Sequence, residues 1–359
     1  MSAQETKLLL SNEAKHHLTP RRSLPFRTLL QWLGLILGPL ILFALFLLAV
    51  GADPIRTFRM MFNSAFGDRY GIGEVLIAAA PFALAGLATA IPARVRLVNV
   101  GAEGQLAIGA LTATFAAVAL MDTFPKLITL PLLVLAGAVG GALWSTLAGF
   151  LRVRFQLNET ISTLLLNYVA FLVVGYFVHG ILRDPDSFNW PFSPPFVDAA
   201  RFTTIGGTRL HWGVILAPLI ALLTWYVIAR TFIGLRLRVV GGNPEAARRA
   251  GYDVDRIQLW VFVVAGALAG IAGMVEVVGV EGRLRPTTGV GIGYVGFLAA
   301  WMVNHHPLWL IGSSLLLAVI AVSGDSLQIA ASLPASSVNI LMALVLIGVL
   351  MRSNQKSKR

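Results

Sequence analysis

Ten apolar runs alternate with short polar segments along the chain: 28–52, 75–93, 97–121, 127–151, 160–182, 212–229, 258–280, 287–303, 307–322 and 334–351. The hydrocarbon core of a bilayer takes ~20 apolar residues per helix. The pattern therefore predicts an all-α polytopic membrane protein with about ten transmembrane helices. The weakest division is Asn304-His305-His306-Pro307. Yet 287–322 is too long for one tilted helix, and Pro307 favours a turn. The first run has a rival reading as a secretory signal, with Ala49-Val50-Gly51 loosely resembling a cleavage site. A signal's apolar region runs only ~7–15 residues, so a retained helix is the better expectation.

Composition agrees. Hydrophobic residues make up 57% and charged residues 13%, against about 45–50% and about 25% in soluble chains. Lys and Arg number 28 against 17 Asp and Glu, a net charge of +11. In a soluble protein that excess would suggest nucleic acid; here its position decides. With the N-terminus inside, the inner segments hold 19 basic residues and the outer segments nine. That is the positive-inside asymmetry. It puts both termini in the cytoplasm and removes the case for nucleic acid. The organisation expected is a cytoplasmic tail 1–27, a transmembrane domain 28–351 and a cytoplasmic tail 352–359. The longest connections are 183–211 outside and 230–257 inside. Cysteine is absent, which removes disulfides, thiolate metal sites and thiol nucleophiles together.

Catalytic motifs are missing. There is no G-x-x-x-x-G-K-[ST] phosphate cradle, no H-E-x-x-H and no G-x-S-x-G. His16-His17 and His305-His306 are adjacent pairs whose side chains diverge on a helix, a poor arrangement for a metal. No catalytic or metal residue is expected, and the chain does not read as an enzyme. Two acids, Glu103 and Glu276, fall inside apolar runs. A charge at the bilayer centre costs ~2.5–3.5 kcal/mol on insertion scales. Such acids could relay protons in an ATP-independent secondary transporter, or could line or brace a protein interior.

Three segments carry more information. In the inner connection, Gly242-Asn243-Pro244-Glu245-Ala246-Ala247-Arg248-Arg249-Ala250-Gly251 reads as a short helix with explicit ends. Asn243 suits the N-cap and Pro244 the first helical position. Glu245 complements the positive end of the dipole, Arg248 and Arg249 the negative end, and Gly251 a left-handed stop. Two turns cannot bury a core, so this helix should dock into something. In Asn99-Val-Gly-Ala-Glu103-Gly-Gln105, the four-residue spacing puts Asn99 and Glu103 on one helical face. Polar groups at that depth need protein or water as partners. In Asn158-Glu159-Thr160 … Asn167-Tyr168, Asn158 or Thr160 can cap the entering helix. Asn167 can bond between helices or contact solute.

These runs, "NVGAEGQLAIGA", "NETISTLLLNYVA", "GLRLRVVGGNPEAARRAGYDVDR" and "GALAGIAG", resemble the permease subunits of bacterial ABC importers of the ribose/branched-chain amino-acid type. The nearest branch is the nucleoside or simple-sugar permeases. The resemblance implies a type II importer-like permease in the cytoplasmic (inner) membrane. It implies an ABC ATPase that binds ATP and Mg in place of this chain, and an extracytoplasmic binding lipoprotein or periplasmic binding protein. A second permease subunit, a distinct homologue or an identical copy, completes the assembly in the lipid. Gly242 to Arg249 with Gly251 would form the coupling helix. Asn99, Glu103, Gln105, Asn167 and Tyr168 are the candidates for the translocation pathway. Asp184, Asp186, Phe188, Trp190 and Phe192 are the candidates for binding-protein contact, with an interfacial aromatic belt as the alternative for Trp190.

Overall fold

The computed structural model describes residues 25–120, 123–324, 327–328, 333–334 and 337–357. Most of the expected N-terminal tail, with His16-His17, and the last two residues lie outside them. Among the described residues the chain is helical, and strand pairing is limited to an isolated bridge between Thr204 and His211.

Each apolar run contains a helix. In chain order these are α1 (Pro25–Ala49), α3 (Arg69–Ala93), α4 (Ala102–Ala119), α5 (Lys126–Phe155), α6 (Glu159–His179), α7 (Leu216–Arg230), α10 (Val254–Glu276), α11 (Ile292–Met302), α12 (Pro307–Val322) and α13 (Val338–Ser357). Three short helices lie between them: α2 (Pro54–Phe66), α8 (Phe232–Gly242) and α9 (Pro244–Arg249). Six described stretches are long and apolar enough to cross a bilayer alone; α10 does so with its π-helical extension to Glu281. Helix α11 has 11 residues, ~16 Å at the helical rise, about half the hydrocarbon thickness.

Helices that are apolar all round belong inside a bundle. Helices α3, α4 and α10 are of this kind and are the most buried spans, whereas α5, α6 and α7 turn most of their surface outward. Helix α10 packs chiefly on α5, α4 and α3; α11 and α12 cover another side of α3, α6 rests on α4, and α13 on α1. Small residues make the centre possible. A Cβ on Gly141 of α5 would lie 2.7 Å from the Cα of Gly270 on α10, so those two backbones touch.

Two expectations need correction. The run 97–121 is not one helix: the chain leaves α3 at Ala93, turns through Arg96 in the left-handed region (φ 59°), and becomes helical again only at Ala102. Asn99 is therefore non-helical and shares no helical face with Glu103. Likewise 287–303 is helical only from Ile292, because Gly289 and Gly291 take φ of 74° and 91°. The break at Asn304-His305 is present, with both residues left-handed.

Candidate functional site

The non-helical stretch 96–101 lies beside the bundle core, where every backbone polar group needs a partner. Its side chains and neighbours supply many of them. Pro92 has no N–H, so the carbonyl of Ala88, four residues earlier, loses its helical donor. Asn99 Nδ2 donates to that carbonyl at 3.2 Å. The same amide pairs reciprocally with Gln105, Nδ2 to Oε1 at 3.1 Å and Gln105 Nε2 to Asn99 Oδ1 at 3.0 Å. Asn99 Oδ1 also accepts from Gly101 N at 2.9 Å, and Thr89 Oγ1 donates to Asn99 O at 3.3 Å. Asn99 and Gln105 are both fully buried.

Helix α6 lays a ladder along the other side of this stretch. Glu159, Thr163 and Asn167 recur every four residues and so share one face. Val98 N donates to Glu159 Oε1 (3.3 Å), Val100 N to Thr163 Oγ1 (3.3 Å) and Gly104 N to Asn167 Oδ1 (2.9 Å). Asn167 Nδ2 donates to Val100 O at 3.0 Å and to the Tyr294 hydroxyl at 3.4 Å. Arg152 pairs with Glu159 at 3.5 Å. Sequence reasoning missed Glu159, Thr163 and Thr89. The four-residue spacing on α6 was visible, but the partner that makes it meaningful is a helix break elsewhere.

Glu103 sits in the first turn of α4, 1% exposed. Its carboxylate accepts from the amides of Gly291, Gly293 (2.7 Å) and Tyr294 (3.2 Å). Its carboxyl group is thus seated on the N-terminus of α11, where free amides need acceptors and the helix dipole favours negative charge. The approach requires glycine: a Cβ on Gly293 would lie 2.7 Å from Glu103 Oε2. Glu276 ends α10, within electrostatic reach of Glu281 and Arg209. Asn99, Glu103, Gln105 and Asn167 therefore gather in one polar cluster: Asn99 and Gln105 bond side chain to side chain, while Glu103 and Asn167 join through backbone groups and Tyr294. Tyr168 does not join it; its side chain is exposed near Tyr294, which carries the cluster to the surface. Next to the 94–96 turn, a cleft of about 210 Å³ opens beside Thr89, Arg96, Val98, Trp301 and His305.

The inner loop has the local structure its sequence dictates. Asn243 Oδ1 accepts from Glu245 N (3.0 Å) and Ala246 N (3.1 Å), and Gly251 takes φ 86°. Arg248 pairs with Asp255 at 2.6 Å, Arg249 with Glu245 at 3.6 Å. Ala246 is exposed, but Ala247 is buried against the chain itself together with Val240 and Val254. Only part of α9 is thus available to a partner. Gly241 of α8 presses on the carbonyl of Arg94, whose Nη2 donates to His305 O at 2.7 Å. The inner loop, the segment 94–99 and the α11–α12 turn are in continuous contact.

In the outer connection, Trp190 stacks on Phe192 with centroids 6.0 Å apart. Arg283 and Arg285 lie over the Phe192 ring at 5.6 and 5.4 Å. Phe188 is almost wholly exposed, while Asp184 is buried and its carboxylate accepts from Asp186 N. Ser193 N donates to Leu284 O at 3.0 Å, tying the loop to the segment that follows α10. No group of three or more His, Asp or Glu able to hold a metal occurs among the described residues.

A polytopic bundle whose helices are broken where polar groups meet inside it shares that feature with membrane transporters. The family model for the branched-chain amino acid transport system / permease component matches residues 71–351, and the chain belongs to that family. It is 33% identical to the glucose ABC transporter permease protein TsgB13 of Haloferax volcanii, over 92% of this chain and 89% of the relative. It is 30% identical to the guanosine ABC transporter permease protein NupP of Bacillus subtilis, over 88% and 90%. The nucleoside ABC transporter permease protein NupB of Lactococcus lactis is 29% identical over 87% and 84%. The chain is accordingly a multi-pass permease subunit of an ABC importer, a transport protein and not an enzyme. Membership of this family implies an ATPase and a solute-binding protein as partners. It displaces the proton-coupled alternative, and both carboxylate oxygens of Glu103 are in any case held by helix amides.

Proposed function

We propose that this chain forms one half of the translocation pathway for a nucleoside or simple sugar, opposite a second permease subunit. A separate ATPase, holding ATP and Mg, closes on α9; an extracytoplasmic binding protein delivers solute to the loop around Trp190 and Phe192. The solute class rests on the relatives named for glucose, guanosine and nucleosides. All of these solutes carry a hydroxylated ring, which a polar pathway wall can bond.

The observation that carries the coupling role is the construction of the inner loop. Helix α9 is capped at both ends, shows Ala246 outward and is anchored inward by Ala247. Force applied there has a contiguous route. It passes through α8 and Gly241 to Arg94, and then along the stretch that ends at Asn99 and Glu103. In this reading Asn99, Glu103, Gln105 and Asn167 brace the pathway wall, while Tyr168 and Tyr294 present hydroxyls to the solute. The assay is uptake of labelled guanosine, adenosine, glucose, ribose and leucine by the assembled importer. Saturable uptake of a nucleoside or sugar, with a raised KM in Tyr294→Phe, supports the reading. Uptake of leucine alone would contradict it.

A further inference from the structure

Helix α2 carries charge that the positive-inside rule disfavours. Arg56 and Arg59 lie on it and Arg69 just beyond, three of the nine basic residues in the outer segments. No ion pair neutralises them among the described residues. The nearby carboxylates are used elsewhere: Asp53 caps α2 through Ile55 N and Arg56 N, and Asp68 caps α3 through Gly71 N.

The helix has three faces. Thr57, Met61 and Ala65 are buried at four-residue spacing. Ile55, Phe62 and Phe66 are exposed at 75%, 63% and 45%, and the two Phe rings lie 5.2 Å apart. Arg56, Arg59 and Asn63, all exposed, follow next around the helix at ~100° per residue. The helix is held in place: Phe58 packs on Phe43 of α1 at 6.1 Å, and Ser323 Oγ donates to Met61 O at 3.1 Å. The chain bends by 120° between Leu37–Ala49 and α2. With α1 upright in the bilayer, the axis of α2 runs closer to the membrane plane than to the membrane normal. An apolar stripe beside a cationic stripe, on a helix fixed across the end of a span, matches the two zones of a lipid surface: acyl chains and phosphates.

We propose that α2 is an interfacial helix that binds anionic phospholipid of the outer leaflet. Ile55, Phe62 and Phe66 enter the acyl boundary, and Arg56 and Arg59 hold lipid phosphates. Occupancy braces the corner where α1, α2 and the end of α12 meet.

The cysteine-free chain makes the test direct. Single cysteines at positions 55 to 66 carry a nitroxide, in the assembled importer, in vesicles of phosphatidylglycerol with phosphatidylcholine. Labels replacing Ile55, Phe62 and Phe66 should be relaxed by oxygen. Those replacing Arg59 and Asn63 should be relaxed by a water-soluble nickel chelate. In parallel, native mass spectrometry counts retained lipid. Phosphatidylglycerol retention should fall about fivefold for each of Arg56→Gln and Arg59→Gln, with phosphatidylcholine retention and detergent melting unchanged. Labels at 62 and 66 shielded from both relaxants would make this face a protein interface and overturn the proposal. Equal phosphatidylglycerol retention in the Arg56→Gln/Arg59→Gln double variant would overturn it as well.

Discussion

Replacing Glu103 with alanine should unseat α11 without touching any other bonded pair. Three amides lose their acceptor at once, those of Gly291, Gly293 and Tyr294. An unsatisfied buried donor costs about 1–3 kcal/mol. With little slack around Gly293, the variant should lose about 3 kcal/mol. Glu103→Gln keeps one oxygen but turns an NH₂ toward amide donors, so it should fall between the two. The assay is thermal unfolding of purified protein in detergent, with a fluorescent reporter on α11. Alanine and native proteins melting within the ±0.5 kcal/mol typical of surface substitutions would refute the capping role. So would a Glu103→Gln variant of native stability whose uptake loses dependence on a proton gradient.

Three further outcomes follow from the same geometry. Ala246→Arg should leave expression and melting near native but abolish ATPase association, whereas Ala247→Arg, driven into the chain's own interior, should lower protein yield; pull-down and yield measure the two. Gly141→Val should cost about 1–3 kcal/mol or more by forcing α5 from α10, while Gly38→Val, with open space around it, should melt like the native protein. Burial, and then the Arg94 charge, lower the His305 pKa to about 4 from an ordinary 6.5. Between those values the unfolded chain binds the extra proton, so stability should be complete above pH 6.5 and fall as pH drops toward 4. His305→Asn, which tolerates the left-handed backbone, should flatten that slope in pH-dependent melting curves.

What was legible in the sequence was what depends on near neighbours. The caps of α9 follow from Asn243, Pro244 and Gly251 because every partner lies within a few residues. The spans follow from length and polarity. The site was misread where an interaction depends on a missing group: Asn99 answers the carbonyl that Pro92 leaves unpaired, so it belongs to a helix break and not to a helix face. The burial of Ala247 beside the exposed Ala246 depends on how α9 rests on α8 and α10, which two alanines cannot announce. Helix α2 carried its signal, Asp53-Pro54 before Thr57, Met61 and Ala65, hidden between two much stronger apolar runs.

Coupling through α9 means that ATP hydrolysis by a partner drives solute through this chain. Its most direct test is uptake of labelled solute into proteoliposomes holding the complete importer, with ATP on the ATPase side and a protonophore present. Uptake should require ATP, ignore the protonophore and disappear with Ala246→Arg. Uptake by this chain without its ATPase, driven by a proton gradient and abolished by the protonophore, would contradict it.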